Sequence, residues 1–232
     1  MRKLTLGSMR WLAPLGIAAL AAAGCAARGS GPAGPTPAAT LALPAPRAAG
    51  PLSLEEALSG RRSVREFAPD PLTREQVSQL LWAAQGVTDP AGLRTAPSAG
   101  ALYPLEVYAV LPEGTYHYSP AGHSLTLVTA GDRRTALWQA ALRQEAVRQA
   151  PAVFLIAAVY ERTEHKYGRE RTPRYVHLEA GHAAQNLLLQ AVALGLGGVP
   201  IGAFDDEGVQ SALPLPADQR PLYLIPVGRP RS

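Results

Sequence analysis

A run of seven consecutive apolar residues, from Val153 to Val159, constrains the fold of this chain more than any other feature. A strand that is apolar at every position is buried on both faces of its sheet, whereas a half-exposed strand alternates polar and apolar residues. The run therefore predicts a central strand between two layers. One such unit is expected, because 232 residues with 47% hydrophobic content are compatible with a single domain plus appendages.

Helix-capping patterns mark the predicted helices. Ser53 and Glu56 form a capping box, in which each side chain satisfies an orphan backbone amide, and the pattern recurs at residues 73–76. Thr172 followed by Pro173 predicts a cap and a first-turn proline for the longest helix. The predicted helices cover residues 53–60, 73–86, 135–149 and 172–194.

The remaining regular structure is predicted from β-branched and aromatic residues. Besides 153–159, these predict strands at 106–111, 115–118, 125–129, 198–201 and 222–227. The chain is therefore expected to have an α+β fold, with helices around one mixed central sheet. Residues 183–194 are apolar on nearly every side, which predicts a buried helix, either inside the domain or shared between subunits.

The first 25 residues have the three parts of an export signal: a positive segment, an apolar run over 11–23, and Gly24-Cys25. Thirteen apolar residues are too few for a permanent membrane helix. Residues 20–25 resemble a bacterial lipobox, although Ala22 stands where leucine is preferred. This predicts an exported cell-envelope lipoprotein, attached to the membrane only through a lipid on Cys25. The alternative is an ordinary cleaved signal with an incidental cysteine.

Composition then divides the chain into three parts. Residues 1–25 are the predicted signal and lipobox, residues 26–51 an Ala/Pro/Gly-rich tether that cannot bury enough surface to fold, and residues 52–232 the folded domain.

The formal charge of +4 lies mostly in the signal, so the remainder is nearly neutral and lacks the basic surplus of a nucleic-acid binder. The single cysteine excludes disulfides, and the five histidines show no metal-ligand spacing, so no metal is expected.

Three segments have residues suited to a flat, phosphorylated ligand. The first holds Arg61, Arg62, Ser63 and Arg65, whose guanidinium forks match phosphate oxygens, although a basic run is also typical of a solvated face. The second segment is Pro97, Ser98, Ala99 and Gly100, followed by Tyr103-Pro104. Its small residues let the backbone approach a flat ligand, unless the segment is a plain surface turn. The third segment, residues 195–204, is rich in glycine, but it follows a helix and leads into a strand, whereas the glycines of a Rossmann unit follow a strand and open a helix.

A fourth group combines Lys166 and Tyr167 with a pattern on the longest helix that includes Gln185 and Asn186. A lysine beside a tyrosine can exchange protons with a substrate, but exposed Lys-Tyr pairs are also common. Gln185 and Asn186 either line a ligand site or are buried and paired with other polar groups.

Taken together, these motifs resemble the nitroreductase superfamily, and within it the SagB/ThcOx-type dehydrogenases, over roughly residues 52–230. The resemblance implies a nitroreductase-like fold, an FMN cofactor and a homodimer with FMN at the interface. It implies that the basic motif and Arg229 (or Arg231) hold the flavin phosphate and ribityl chain. It also implies that the P-S-A-G loop, Gln185 and Asn186 lie beside the flavin, and that Lys166 and Tyr167 handle substrate protons. Backbone amides near flavin N5 are implied at Pro200, Ile201, Gly202 and Ala203.

The function implied by this resemblance is two-electron hydride transfer through flavin N5, with an unidentified small-molecule or peptide substrate. One alternative is an NAD(P)H-dependent nitro or quinone reductase. A second is a flavin-binding lipoprotein without catalysis. Export argues against a simple transfer of the family role, because nicotinamide pools are cytoplasmic.

Overall fold

The computed structural model describes residues 40–231. The predicted signal, Cys25 and residues 26–39 of the predicted tether lie outside the described residues. Between residues 40 and 231, no helix is long and apolar enough to cross a membrane.

One sheet of seven strands organises the domain, in the spatial order β1-β4-β3-β2-β5-β7-β6. Its strands are β1 (Thr40–Ala42), β2 (Leu105–Leu111), β3 (Gly114–Ser119), β4 (Ser124–Ala130), β5 (Ala152–Val159), β6 (Gly197–Gly198) and β7 (Gln219–Gly228). All pairs of these strands are antiparallel. Parallel pairing among the described residues is limited to an isolated bridge between Ser63 and Gly198, so the expected mixed sheet is almost entirely antiparallel.

Seven α-helices surround the sheet in the described part of the chain. They are α1 (Leu54–Gly60), α2 (Arg74–Gln85), α3 (Arg134–Ala140), α4 (Glu145–Gln149), α5 (Glu161–Tyr167), α6 (Thr172–Ala193) and α7 (Asp206–Ala212). Both predicted capping boxes are present, at Ser53 and at Thr73. On α6 the predicted cap is wrong by one residue: Arg171 is the N-cap, and the Thr172 hydroxyl donates to the Gly168 carbonyl at 2.9 Å.

The central strand confirms the prediction from the apolar run, since all eight residues of β5 are buried. Its two faces belong to two clusters of core residues. Phe154 and Ile156 pack with residues of α2 and α6, whereas Val153 and Leu155 pack with residues of α3, α4 and α7. The sheet is therefore covered on both sides by helices.

The single helix predicted over 135–149 is wrong, because α3 and α4 are separated at residues 141–144. Leu142 and Arg143 have positive φ angles, of 54° and 57°, which no helix accommodates. The break frees the Ala140 carbonyl, which accepts a hydrogen bond from the Asp205 amide at 2.9 Å. A backbone partner distant in sequence thus ends the helix.

The tether predicted to reach residue 51 is also wrong for its described part. Strand β1 pairs with β4, and the Leu43 amide donates to the His123 carbonyl at 3.1 Å. The Pro44 carbonyl accepts from the Ser78 hydroxyl at 2.6 Å, and the Arg47 amide donates to the Gln79 side chain at 2.8 Å. Backbone groups make most of these bonds, so they need no apolar periodicity in the sequence.

Candidate functional site

The predicted site residues fall into two groups at opposite ends of the sheet. We call residues 61–65, 197–203 and 229–231 the arginine cluster, and residues 97–104, 166–167 and 175 the lysine–tyrosine cluster. Gly197 pairs with Gly228 on β7. The preceding residue of β7, Val227, pairs with Ala152 at the start of β5. Leu105, directly after the second cluster, pairs with Ala158 near its end. Gly197 and Leu105 are therefore separated by most of the length of β5, on the order of 20 Å, whereas Ile201 lies level with Leu155 in the middle of that strand.

In the arginine cluster, the basic motif runs alongside the glycine-rich segment. The Val64 amide donates to the Gly198 carbonyl at 3.1 Å. A Cβ atom at Gly197 would lie 2.5 Å from the Val64 side chain, so this contact requires glycine. Arg65 and Arg231 line a cavity of about 580 Å³ together with Ile201.

Two predicted phosphate ligands of this cluster have protein partners instead. The Arg62 guanidinium donates to the carbonyls of Ser59 and Arg61 at 2.9 and 2.8 Å. Arg229 forms an ion pair with Asp70, which holds the pKa of that carboxyl below its usual value. Of the two C-terminal candidates, Arg231 is the one that lines the cavity.

The backbone near residues 200–203 offers fewer free donors than expected. The Ile201 amide donates to the Leu224 carbonyl at 2.8 Å, so it is not available to a ligand. Gly202 and Ala203 are exposed, and a Cβ atom at Gly202 would meet only the Tyr223 ring, at 3.9 Å. The Ala203 carbonyl accepts a hydrogen bond from the Gln144 side chain at 2.9 Å, which holds this segment against the α3–α4 connection.

In the lysine–tyrosine cluster, two side chains from α5 converge on the P-S-A-G loop. Gly100 has a φ of 65°, and a Cβ atom there would lie 2.8 Å from the Lys166 Nζ atom and 3.0 Å from the Tyr167 hydroxyl. The loop is closed by the Tyr103 amide, which donates to the Ser98 hydroxyl at 2.9 Å. The motif and the Lys-Tyr pair are therefore parts of one surface.

A charged network, which the sequence analysis missed, fixes α5 to the sheet. Arg162 donates to the Tyr103 carbonyl at 3.1 Å and forms an ion pair with Glu106, at the start of β2. The carboxylate of Glu106 also bonds to His117 on β3. Although burial opposes ionisation, the His117 and Arg162 interactions hold the pKa of Glu106 below its usual value. An acidic residue at the start of an otherwise apolar strand was the available signal.

A second buried carboxyl lies behind the loop. Glu179 on α6 is 2% exposed, and its Oε1 atom has no hydrogen-bond partner among residues 40–231. Burial raises its pKa to about 7, and the Ser98 hydroxyl and the charge of Arg94 oppose that rise only in part. Arg94 itself lies 4.4 Å from the Tyr103 ring centre. In the sequence, Glu179 belongs to the pattern on the longest helix that also includes Gln185 and Asn186, and no other feature of the sequence points to it.

The two polar residues predicted near the flavin on α6 differ in their surroundings. Asn186 donates to the Thr95 carbonyl at 3.2 Å, which supports the segment that leads into the P-S-A-G loop. Gln185 is exposed. Asn186 is thus paired with a polar backbone group, which is one of the two predicted alternatives, whereas Gln185 faces away from the interior of the chain.

The fold and these clusters define a class: an α+β protein with one antiparallel sheet and a cavity, lined by Arg65 and Arg231 together with Glu66 and Glu145, beside a glycine-rich segment. The sequence model described as the nitroreductase family matches residues 58–229, and the chain belongs to that family. It is an oxidoreductase of the FMN-dependent type.

Two similar proteins with nitroreductase names support this membership. A protein of Methanocaldococcus jannaschii with a provisional nitroreductase name is 47% identical over 184 residues, which cover 77% of this chain and 91% of the relative. The trifolitoxin operon protein TfxC of Rhizobium leguminosarum is 24% identical, and the match spans only 54% of it. A crystal structure from Ralstonia eutropha, also provisionally named a nitroreductase, has a TM-score of 0.76 and 33% identity, covering 84% of this chain and 94% of that one.

Proposed function

We propose that this protein is a SagB-type oxidoreductase that moves two electrons between FMN and an organic substrate. The observation that carries the proposal is the convergence of Lys166 and Tyr167 on Gly100 of the P-S-A-G loop. A nitroreductase fold alone supports many reactions, so the reaction has to be inferred from the residues that would contact the substrate.

The residues of the arginine cluster fit an FMN phosphate and ring. Arg65 and Arg231 present guanidinium groups to a cavity of about 580 Å³, and Arg61 and Ser63 lie on the same segment. Gly202 is exposed and has open space beside it, since a Cβ atom there would meet only the Tyr223 ring, at 3.9 Å. When bound, FMN supplies a hydride acceptor and donor at its N5 atom. The exposed backbone at Gly202 and Ala203 is the part of this chain that would face the ring.

A second copy of the chain would complete the site. Gly197 and the P-S-A-G loop lie at opposite ends of β5, so the lysine–tyrosine cluster of one copy would meet the arginine cluster of the other. Members of this family are commonly homodimers. Along α6, one side is buried in the core, whereas Leu189, Val192 and Ala193 are only half-buried and can pack against a partner.

Within this site, Lys166 and Tyr167 would handle the substrate proton. The Tyr167 hydroxyl can give or accept a proton, and the adjacent Lys166 ammonium stabilises negative charge that develops beside it. Both groups lie within about 3 Å of the position that a Cβ atom of residue 100 would occupy, so a single substrate atom near that position could reach both.

Replacing Lys166 by Ala tests this role. Lys166 is exposed, so the variant is expected to fold and to retain FMN, but to lose turnover by at least about 100-fold. The visible flavin absorbance reports FMN retention, and substrate-dependent flavin reduction reports turnover. Undiminished turnover in the variant would remove the SagB-type assignment. Arg169→Ala is the matched control for loss of an exposed positive charge nearby.

An NAD(P)H-dependent nitro or quinone reductase is the second candidate, favoured by the provisional name of the 47% identical relative. The two candidates differ in their electron donor. Rapid bleaching of the flavin by NADPH without oxygen supports the reductase. In a reductase of this kind, Lys166→Ala should be nearly as active as the parent. Flavin that persists with NADPH, but is reduced by an organic substrate, supports the SagB-type reaction.

For the N-terminal segment, we propose a lipid anchor on Cys25 that places the enzyme in the cell envelope. The motif at residues 20–25 supports this proposal. Mass spectrometry of the membrane fraction should find an acylated Cys25 as the first residue, and Cys25→Ser should release the enzyme from that fraction. A chain that keeps residues 1–24 would contradict the anchor.

A further inference from the structure

The junction of α5 and α6 holds positive charge that the proposed reaction does not use. Residues 165–175 contain four basic side chains and one acidic side chain: Lys166, Arg169, Arg171 and Arg174, with Glu170. All three arginines are exposed. The ion pairs formed among residues 40–231 include none of them. Their charge is therefore available to a ligand.

Two of these arginines border a concave surface. Arg171 and Arg174 line a cavity of about 290 Å³ together with Glu170 and Tyr175. The cavity lies at the first turn of α6, a helix of 22 residues, and the partial positive charge of a helix N-terminus adds to that of the arginines. Glu170 offsets only part of this charge, so the cavity favours an anion.

An aromatic pair joins this cavity to the lysine–tyrosine cluster. The ring of Tyr175, which lines the cavity, lies 4.5 Å from the ring of Tyr167, at an angle of 48°. The Tyr167 hydroxyl in turn lies beside Gly100, 3.0 Å from the position of an added Cβ atom. A flat ligand that rests against the tyrosines can therefore have one end at Lys166 and the other at the arginines.

We propose that this junction recognises a flat-ring substrate with a pendant carboxylate or phosphate. Arg171 and Arg174 bind the anionic group, and Tyr175 and Tyr167 contact the ring. Guanidinium groups suit this task because their planar forks match carboxylate and phosphate oxygens. The inference rests on the proposed function, because it names the substrate class of the same site.

Calorimetric binding to the FMN-loaded protein tests the inference independently of turnover. The probes are 4-nitrobenzoate and 4-nitrobenzamide, which are close in shape and differ in charge. The carboxylate should bind about tenfold more tightly, and this preference should shrink as salt screens the exposed arginines. The double variant Arg171→Gln/Arg174→Gln should lose the preference, whereas Arg171→Lys/Arg174→Lys should keep most of it.

Arg74→Gln is the matched control. Arg74 is exposed at the start of α2 and lies near Leu111, at the opposite end of the sheet. It removes one positive charge without touching the junction, so the preference should remain. Equal binding of the two probes to the parent, or an unchanged preference in the double glutamine variant, would overturn the proposal.

A second pair of probes identifies the source of the anion. If the anion is the phosphate of a nucleotide donor, the double glutamine variant should weaken NADPH binding and leave NADH binding unchanged. If it belongs to the acceptor, only the nitrobenzoate preference should be lost. Failure of the proposed function is separate, because it would show as undiminished turnover in Lys166→Ala, whereas the probe preference is a binding measurement on the FMN-loaded parent protein.

Discussion

Glu179 is a carboxyl group placed where a carboxylate is poorly solvated. It is 2% exposed, and one of its oxygens has no hydrogen-bond partner among residues 40–231. Burial, the main cause, raises its pKa to about 7. Ser98 of the P-S-A-G loop opposes part of this rise, which places Glu179 beside the loop.

Replacing Glu179 by Gln should raise stability at alkaline pH. The folded-state pKa is above that of the unfolded chain, so the stability tied to this group is full below about pH 4.5 and is lost as pH rises through 7. A neutral amide removes the loss. Urea unfolding should show the variant about 1–3 kcal/mol more stable than the parent at pH 8, with a much smaller difference near pH 5.

The exposed carboxyl of Glu113 provides the control for that measurement. Glu113→Gln also removes one negative charge, yet it should shift stability by only a few tenths of a kcal/mol at either pH. A Glu179 variant whose stability follows the parent at every pH would show that the carboxylate is well solvated in the folded protein.

Among the elements, α5 depends on interactions outside itself. It has only seven residues, too few for a stable isolated helix, and it ends at the Lys-Tyr pair. Arg162 connects it to Glu106 and to the Tyr103 carbonyl. The position of the pair is therefore set by a carboxylate on β2.

Replacing Glu106 by Gln should loosen α5 without unfolding the domain. The amide keeps the shape but loses the charge that Arg162 and His117 share, at a cost of about 1–3 kcal/mol. Hydrogen exchange should accelerate over residues 161–167 and stay unchanged over 74–85. Because the pKa of Glu106 is held below its usual value, the parent should lose the same protection only as pH falls well below 4.5.

Arg162→Lys is the companion variant, since it keeps the charge but not the guanidinium fork. It should give an intermediate exchange rate over α5. If both variants exchange like the parent, α5 is held by its apolar contacts and Glu106 has no positioning role.

What could be predicted for an element depends on whether its cause lies in its own residues. The apolar composition of β5 predicts its burial on both faces, and four-residue sequence patterns predict the caps of α1 and α2. The break between α3 and α4 depends on a backbone bond from Asp205, 65 residues after Ala140, and β1 depends on pairing with β4. No local pattern contains such partners, so these two features were missed.

At the scale of the whole molecule, the motifs were found but their arrangement was not. The structure places Lys166 and Tyr167 beside Gly100 of the P-S-A-G loop, an adjacency that neither motif predicts by itself. The separation of this cluster from the arginine cluster follows from the strand order, which no single motif encodes. Pairing of Arg229 with Asp70, 159 residues earlier, likewise could not be predicted from the basic C-terminus.

This separation leads to a prediction about two inactive variants. Arg65→Ala damages the arginine cluster, and Lys166→Ala damages the lysine–tyrosine cluster. If each site combines the clusters of two copies, a heterodimer of the variants has one doubly damaged site and one intact site. Coexpressed with different tags and purified through both, the heterodimer should recover about half of the parent activity and bind one FMN at its intact site.

The control replaces one partner by the double variant Arg65→Ala/Lys166→Ala. Paired with Arg65→Ala, it leaves every site without Arg65, so no activity should return. If the sites were built within single chains, the first heterodimer would also stay inactive, because each chain would carry its own damage. Recovery of activity in the first pair alone therefore distinguishes a shared site from two separate ones.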